Sequence, residues 1–220
     1  MPELTIAQKV AIWALPVLFA ITLHEVAHGW VASKFGDQTA RLSGRLTINP
    51  IKHIDLMGTI VVPLLMLFFS GFIFGWAKPV PVDARNLRNP RRDMAIVALA
   101  GPVSNLLMAI FWAATAKIGI LLLDGNAWLG VPLVLMGEAG IMINLVLGVL
   151  NCIPIPPLDG GRVLSNLLPG RMAWQVSRIE PYSLLILVLL MVTGVLSYII
   201  GPPIMLLSHW IAFIFGLPGG

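Results

Sequence analysis

A single cysteine, Cys152, stands among 220 residues, so the chain cannot close a disulfide on itself. Histidines number four and tyrosines two, and Asp, Glu, Lys and Arg together make up only 11 %. A soluble domain carries about 25 % charged residues. This chain cannot clothe a folded surface for water, which excludes an ordinary soluble enzyme or binding module. What fills it instead is apolar: 58 % of residues are hydrophobic and the mean hydropathy is +0.91. The solvent implied is a bilayer.

The net charge of +4 and pI of 9.6 would suggest nucleic acid in a soluble protein. Here the basic residues fall between apolar stretches, where they set topology and touch anionic headgroups. Nucleic acid is therefore not an expected partner. Only Lys9 supplies a basic region ahead of the first apolar run, which is read as a retained helix and not a cleaved signal. Cys152 is read as a buried, inert thiol.

Apolar segments fall at about Val10–Phe35, Met57–Trp76, Met94–Leu123, Val131–Ile153, Ser183–Ile200 and Ile204–Leu217. A spanning helix needs about 17–25 residues, so the last is read as a tilted or incomplete crossing. Lys34, Arg41, Arg45 and Lys52 lie in the first connection, and Lys78, Arg85, Arg88, Arg91 and Arg92 in the second. Arg162, Arg171 and Arg178 lie between Pro154 and Pro181, whereas 124–130 holds only Asp124 and 201–203 no charge. The positive-inside rule puts the basic connections in the cytoplasm. Met57–Trp76 then has basic flanks on both sides and is expected to form a re-entrant hairpin breaking near Ser70-Gly71.

Two short stretches are expected as strands of a small membrane-associated sheet near the site. Ala40–Ile48 alternates Leu42, Leu46 and Ile48 with Arg41, Ser43, Arg45 and Thr47. Trp76–Asp83 contains Pro79-Val80-Pro81-Val82, which favours extended backbone at an edge. Asn89 is expected to cap the helix that opens at Pro90.

The chemistry concentrates at His24-Glu25-Val26-Ala27-His28, inside the first apolar run. Residues four apart share a helix face, so His24 and His28 can hold one metal ion together. Glu25 lies beside them, close enough to handle the proton of a water held by that ion. Ionisable groups at bilayer depth are costly and argue for function. A catalytic zinc site wants three protein ligands and one open position. Asp159, in Asn151-Cys152-Ile153-Pro154-Ile155-Pro156-Pro157-Leu158-Asp159-Gly160-Gly161, is the best remaining candidate. Topology brings it to the cytoplasmic depth of His24 and His28.

An HExxH helix followed by NxxPxPxxDGG resembles the site-2 protease family of intramembrane zinc metalloproteases. Gly75-Trp76-Ala77-Lys78-Pro79-Val80-Pro81-Val82, Ala100-Gly101-Pro102-Val103-Ser104-Asn105 and Asn49-Pro50-Ile51-Lys52-His53-Ile54-Asp55 also resemble its small prokaryotic members without a PDZ domain. The resemblance implies one zinc ion on His24, His28 and Asp159, with Glu25 as general base and acid. It also implies that Asn151 steadies the substrate or the tetrahedral intermediate. Single-pass membrane proteins would be the substrates, cut in or near their transmembrane segments, in regulated intramembrane proteolysis.

The expected architecture is a polytopic α-helical membrane protein with about five to six apolar helical segments, a re-entrant segment and a small β-sheet. Residues 1–220 would form one integral-membrane protease domain of the cell membrane, its active site towards the cytoplasm. The catalytic core would cover about 9–165 and a C-terminal helical hairpin about 182–217. A non-proteolytic metal binder or transporter is the rival, but ligands converging at one depth without an internal repeat disfavour it. His53, Asp55 and Lys78 are candidates for supporting the ligands or binding substrate. Glu138, Asn144 and Asn105 read as helix–helix hydrogen-bonding groups, and His209 as an interfacial or packed side chain.

Overall fold

The computed structural model describes residues 4–61, 75 and 77–218. Helix α1 covers Ile6–Lys34, α2 Thr39–Leu42, α3 Pro90–Leu122 and α4 Ala127–Asn151. Two short helices, α5 (Asp159–Leu167) and α6 (Gly170–Ser177), precede α7 (Ser183–Val192) and α8 (Val195–Phe215). Five stretches are long and apolar enough to cross a membrane: α1, α3, α4, Gly170–Val192 and α8. Their outer faces carry exposed Leu121, Trp128, Tyr198 and Ile214, as lipid contact demands.

Helix α1 starts before the expected Val10 because Thr5 and Gln8 form a capping box: the Gln8 N–H donates to Oγ1 of Thr5 at 3.3 Å, and the Thr5 N–H to Oε1 of Gln8 at 2.9 Å. At 29 residues it is about 44 Å long, more than the hydrocarbon thickness of about 30 Å.

The centre of the bundle is α1, α3 and α4, with α5 laid against α3 and α8 against α4. Helices α3 and α4 approach closely through small residues. A Cβ on Gly137 would overlap Ala116, and one on Gly140 would overlap the Trp112 indole. Membrane helices associate through such close backbone approach because lipid removes the hydrophobic drive between them.

Several expectations need correction. Among the described residues there is no strand, so the small sheet is absent there. Ala40–Leu42 falls in the short helix α2, ahead of which Asp37 accepts from the Thr39 N–H at 3.0 Å. The alternation was misleading: Leu42 and Ile48 are exposed, while Arg45 is buried. Residues 77–83 run irregularly, without a ladder. The re-entrant hairpin falls mostly on residues 62–74, and its break at Ser70-Gly71 lies outside the described residues. Leu56–Val61 ahead of it winds as a π-helical turn.

The final break lies at Gly194, with φ +76°, and not at 201–203. Left-handed backbone there suits glycine, while α8 runs through Pro202 and Pro203. Neighbouring helices make such prolines tolerable within a membrane span. At α3, Pro90 is the first helical residue, but Asn89 caps with its backbone only. Its N–H donates to Oδ2 of Asp93 at 2.8 Å.

Candidate metal centre

One turn of α1 presents His24 and His28 to the same side, and the first residue of α5 meets them. Nε2 of His24 and Nε2 of His28 lie 3.1 Å apart. Oδ2 of Asp159 is 3.0 Å from the former and 3.3 Å from the latter. All three side chains are buried. The loop before α5 can reach them because Gly160 and Gly161 let it fold tightly: a Cβ on Gly161 would collide with Ile155 and Pro156. Neither glycine has a positive φ, so closeness and not turn conformation is what they provide.

The outer ring nitrogens decide what the inner ones can do. Nδ1 of His24 is 2.6 Å from Oδ1 of Asn105, and Nδ1 of His28 is 2.7 Å from the Val97 carbonyl oxygen. Those oxygens can only accept, so each neutral ring carries its proton on Nδ1 and turns a bare Nε2 inward. Two lone pairs then face a carboxylate oxygen, and Oδ2 of Asp159 is buried without a hydrogen-bond partner. Three buried acceptors in mutual contact repel unless a cation lies among them.

Their spacing suits zinc. Legs of about 2.0–2.1 Å give a tetrahedron edges of about 3.3–3.4 Å, against the 3.0–3.3 Å found. Gly101 of α3 completes the cradle, since a Cβ there would stand 2.5 Å from Cε1 of His24 and Nε2 of His28.

Glu25 lies on the adjoining face of α1, where Oε2 accepts from the Val80 N–H at 2.8 Å. That contact fixes the irregular segment 77–83 over the site. The Lys78 N–H donates to the His53 carbonyl oxygen at 2.9 Å, and Nη2 of Arg45 donates to the Lys78 carbonyl oxygen at 2.7 Å. Gly29 makes room for the segment, since a Cβ there would crowd Val80 and Leu46 at 2.7 Å.

The other expected residues fall away from the three ligand atoms. The Asn151 amide donates to the Leu147 carbonyl oxygen of its own helix at 2.9 Å. His53 is buried, with Nε2 3.0 Å from the Thr47 carbonyl oxygen, and Asp55 accepts from the Gly58 N–H at 2.7 Å. The Lys78 side chain is exposed, as are Glu138, Cys152 and His209. Cys152 is thus not the buried thiol expected, and Glu138 does not pack between helices. An apolar cavity of about 500 Å³ lies between α3, α4 and α8, lined by Leu99, Val103, Val149, Ile199 and Leu207 and reaching Cys152 and Pro154.

Sequence reasoning missed Val97, Gly101, Arg45 and the Val80 N–H. Backbone donors and acceptors leave no signal in residue type. Gly101 could have been found as the one residue of its helix turn small enough to face two imidazoles.

A buried two-histidine, one-carboxylate cluster in a bundle of membrane-length helices fits a membrane-embedded metalloenzyme. The model of peptidase family M50 matches residues 120–194. The candidate zinc metalloprotease YwhC of Bacillus subtilis (strain 168) is 38 % identical over 196 residues, covering 86 % of this chain and 83 % of that protein. The candidate zinc metalloprotease Rip2 of Mycolicibacterium smegmatis is 29 % identical over 191 residues, and the match spans 82 % of this chain and 66 % of Rip2. Rip2 of Mycobacterium tuberculosis (strain H37Rv) is 28 % identical over 180 residues, with the same shares covered. No solved structure matches the chain. The chain belongs to peptidase family M50, the site-2 protease family of zinc metalloproteases.

Proposed function

We propose that His24, His28 and Asp159 hold one zinc ion per chain and that Glu25 is the general base and acid of an intramembrane endopeptidase. The observation that carries this is the meeting of three buried side-chain ligand atoms within 4.8 Å of one another, a set that a bound metal ion would satisfy. Bound zinc supplies Lewis acidity and brings the pKa of a water to about 7.

Glu25 takes the proton of the attacking water as its oxygen bonds to the scissile carbonyl carbon. It then delivers that proton to the amide nitrogen as the C–N bond breaks. Asn151 sits at the end of α4, just ahead of the Asp159 turn; releasing its amide from Leu147 would let it donate to the developing oxyanion. The 77–83 segment, held by Arg45 and His53 and joined to Glu25 through Val80, would lie along an unwound substrate.

Substrates on this reading are single-pass membrane proteins, cut in or near the transmembrane segment, with the apolar cavity beside Cys152 suited to their side chains. The basic connections support a site towards the cytoplasmic side of the cell membrane. Residues 1–220 act as one integral-membrane protease domain, with a core of about 9–165 and a C-terminal helical hairpin of about 182–217. Regulated intramembrane proteolysis is the process such cleavage serves.

The test is cleavage of a tagged single-pass substrate in liposomes, with the cut mapped by mass spectrometry. A zinc-dependent cut within or near the apolar segment is expected. Zinc binding without cleavage of several unrelated substrates, together with metal transport, would refute it.

A further inference from the structure

Asn105 and Asn144 form a chain of amides that ends on His24, and each amide has only one orientation open to it. Nδ2 of Asn144 donates to the Gly140 carbonyl oxygen at 2.8 Å. That leaves Oδ1 of Asn144 to accept from Nδ2 of Asn105 at 2.9 Å. The same Nδ2 reaches the Ala20 carbonyl oxygen at 3.2 Å. Oδ1 of Asn105 must therefore face Nδ1 of His24, 2.6 Å away. Both asparagines are fully buried, at 0 % exposure. A carbonyl oxygen anchors the chain at Gly140, so no amide in it can flip without losing a bond.

Ala20 and His24 lie one turn apart on α1. Asn105 therefore grips both ends of that turn, donating to the backbone at one and accepting from the ring at the other. Helix–helix association alone would be served by the Asn105–Asn144 bond. The contact to His24 has a different consequence: it sets the ring's tautomer and its rotation about Cβ–Cγ. A ligating histidine held by such a partner is oriented before the metal arrives and made more basic.

Resting on the reading of His24 as a ligand, we propose that Asn105 is a positioning residue for the metal centre, with Asn144 holding it in register. The relay α4–α3–α1 fixes Nε2 of His24 on the point shared with Nε2 of His28 and Oδ2 of Asp159.

The test uses the full chain in detergent, without any substrate. Zinc affinity is measured by chelator competition, the visible spectrum is taken with cobalt in place of zinc, and thermal stability reports folding. Asn105→Leu keeps the volume but removes the acceptor, and should weaken zinc by about 10–100-fold with an altered cobalt spectrum. Asn105→Asp keeps an acceptor for the His24 N–H and should hold zinc at least as tightly as wild type. Asn144→Leu should weaken zinc severalfold, because Asn105 retains its hold on Ala20.

A folded Asn105→Leu protein with wild-type zinc affinity and cobalt spectrum overturns the inference. If that variant does not fold, unchanged values in Asn144→Leu overturn it equally. Zinc binding that responds to Asn105 in a chain that cleaves nothing would leave this inference standing and remove the protease reading. A wild-type chain that binds no zinc would remove both.

Discussion

The backbone N–H of Val80 donates to Oε2 of Glu25 at 2.8 Å, tying an irregular segment between two prolines to the side chain next to His24. Arg45 and His53 hold the neighbouring Lys78 backbone, so the tether is backed on both sides. On the proposed mechanism the segment positions the base as much as it shapes the site.

Val80→Pro removes that N–H and nothing else from the donor set. A hydrogen bond to a charged group contributes about 1.5–3 kcal/mol. Peptide cleavage should therefore fall by about 10–100-fold with zinc content unchanged. Val80→Ala keeps the N–H and should stay within about threefold of wild type. Equal activity of the two variants would show that the tether does not position Glu25.

Gly101→Ala should abolish zinc binding without unfolding α3. Its Cβ would stand 2.5 Å from both imidazoles, and neither ring can retreat from the centre while keeping its Nδ1 contact. The zinc-to-protein ratio, read by atomic absorption after dialysis, should drop from one towards zero. Retention of one zinc would mean that the rings repack.

Zinc should raise the thermal midpoint of the wild-type chain, because a ligand that binds only the folded state stabilises it. The gain is about 4 kcal/mol at a thousandfold excess over Kd. His24→Ala and Asp159→Ala should lose this response, and a chelator should reverse it in the wild type. A midpoint indifferent to zinc in all three proteins would contradict the assigned ligands.

Asp37 joins the end of α1 to the 83–86 turn. It is fully buried and accepts from the Thr39 N–H and hydroxyl, Nδ2 of Asn86 and the Asp83 N–H. Burial pushes its carboxyl up, but the donors from Thr39, Asn86 and Asp83 outweigh that and hold it below the ordinary carboxylate value. A depressed folded-state pKa contributes stability above the unfolded value of about 3.9 and loses it as pH falls further. Asp37→Asn should be less stable than wild type near pH 6, and the gap should close as pH falls below about 4. Asp83, whose carboxyl is held at about 2 by hydrogen bonding to Arg85, titrates alike in both proteins and cancels. A gap that does not change with pH would mean that the Asp37 charge is not what holds the turn.

The HExxH pair was legible because helical spacing alone puts His24 and His28 on one face, whatever surrounds them. Asp159 was legible because charge patterning put the end of α4 at the same membrane depth. The strand expected at Ala40–Ile48 was not, because one carboxylate upstream, Asp37, gathers the Thr39 N–H and hydroxyl where the chain enters a short helical turn. The last crossing was misplaced because proline, a helix breaker in water, is carried inside a membrane-length helix here, leaving Gly194 to make the turn. Asn105 and Asn144 were visible as helix-pairing amides. Their direction towards His24 depends on carbonyl oxygens of Ala20 and Gly140, which every residue type carries.

The most direct measurement of the central claim compares the wild type with Glu25→Gln in liposomes, both at one bound zinc per chain, on the same tagged single-pass substrate. General acid–base catalysis contributes about 10²–10⁴-fold, so cleavage by Glu25→Gln should fall by at least about a hundredfold while zinc affinity holds. Equal cleavage by the two proteins would remove Glu25 from the reaction and contradict the mechanism.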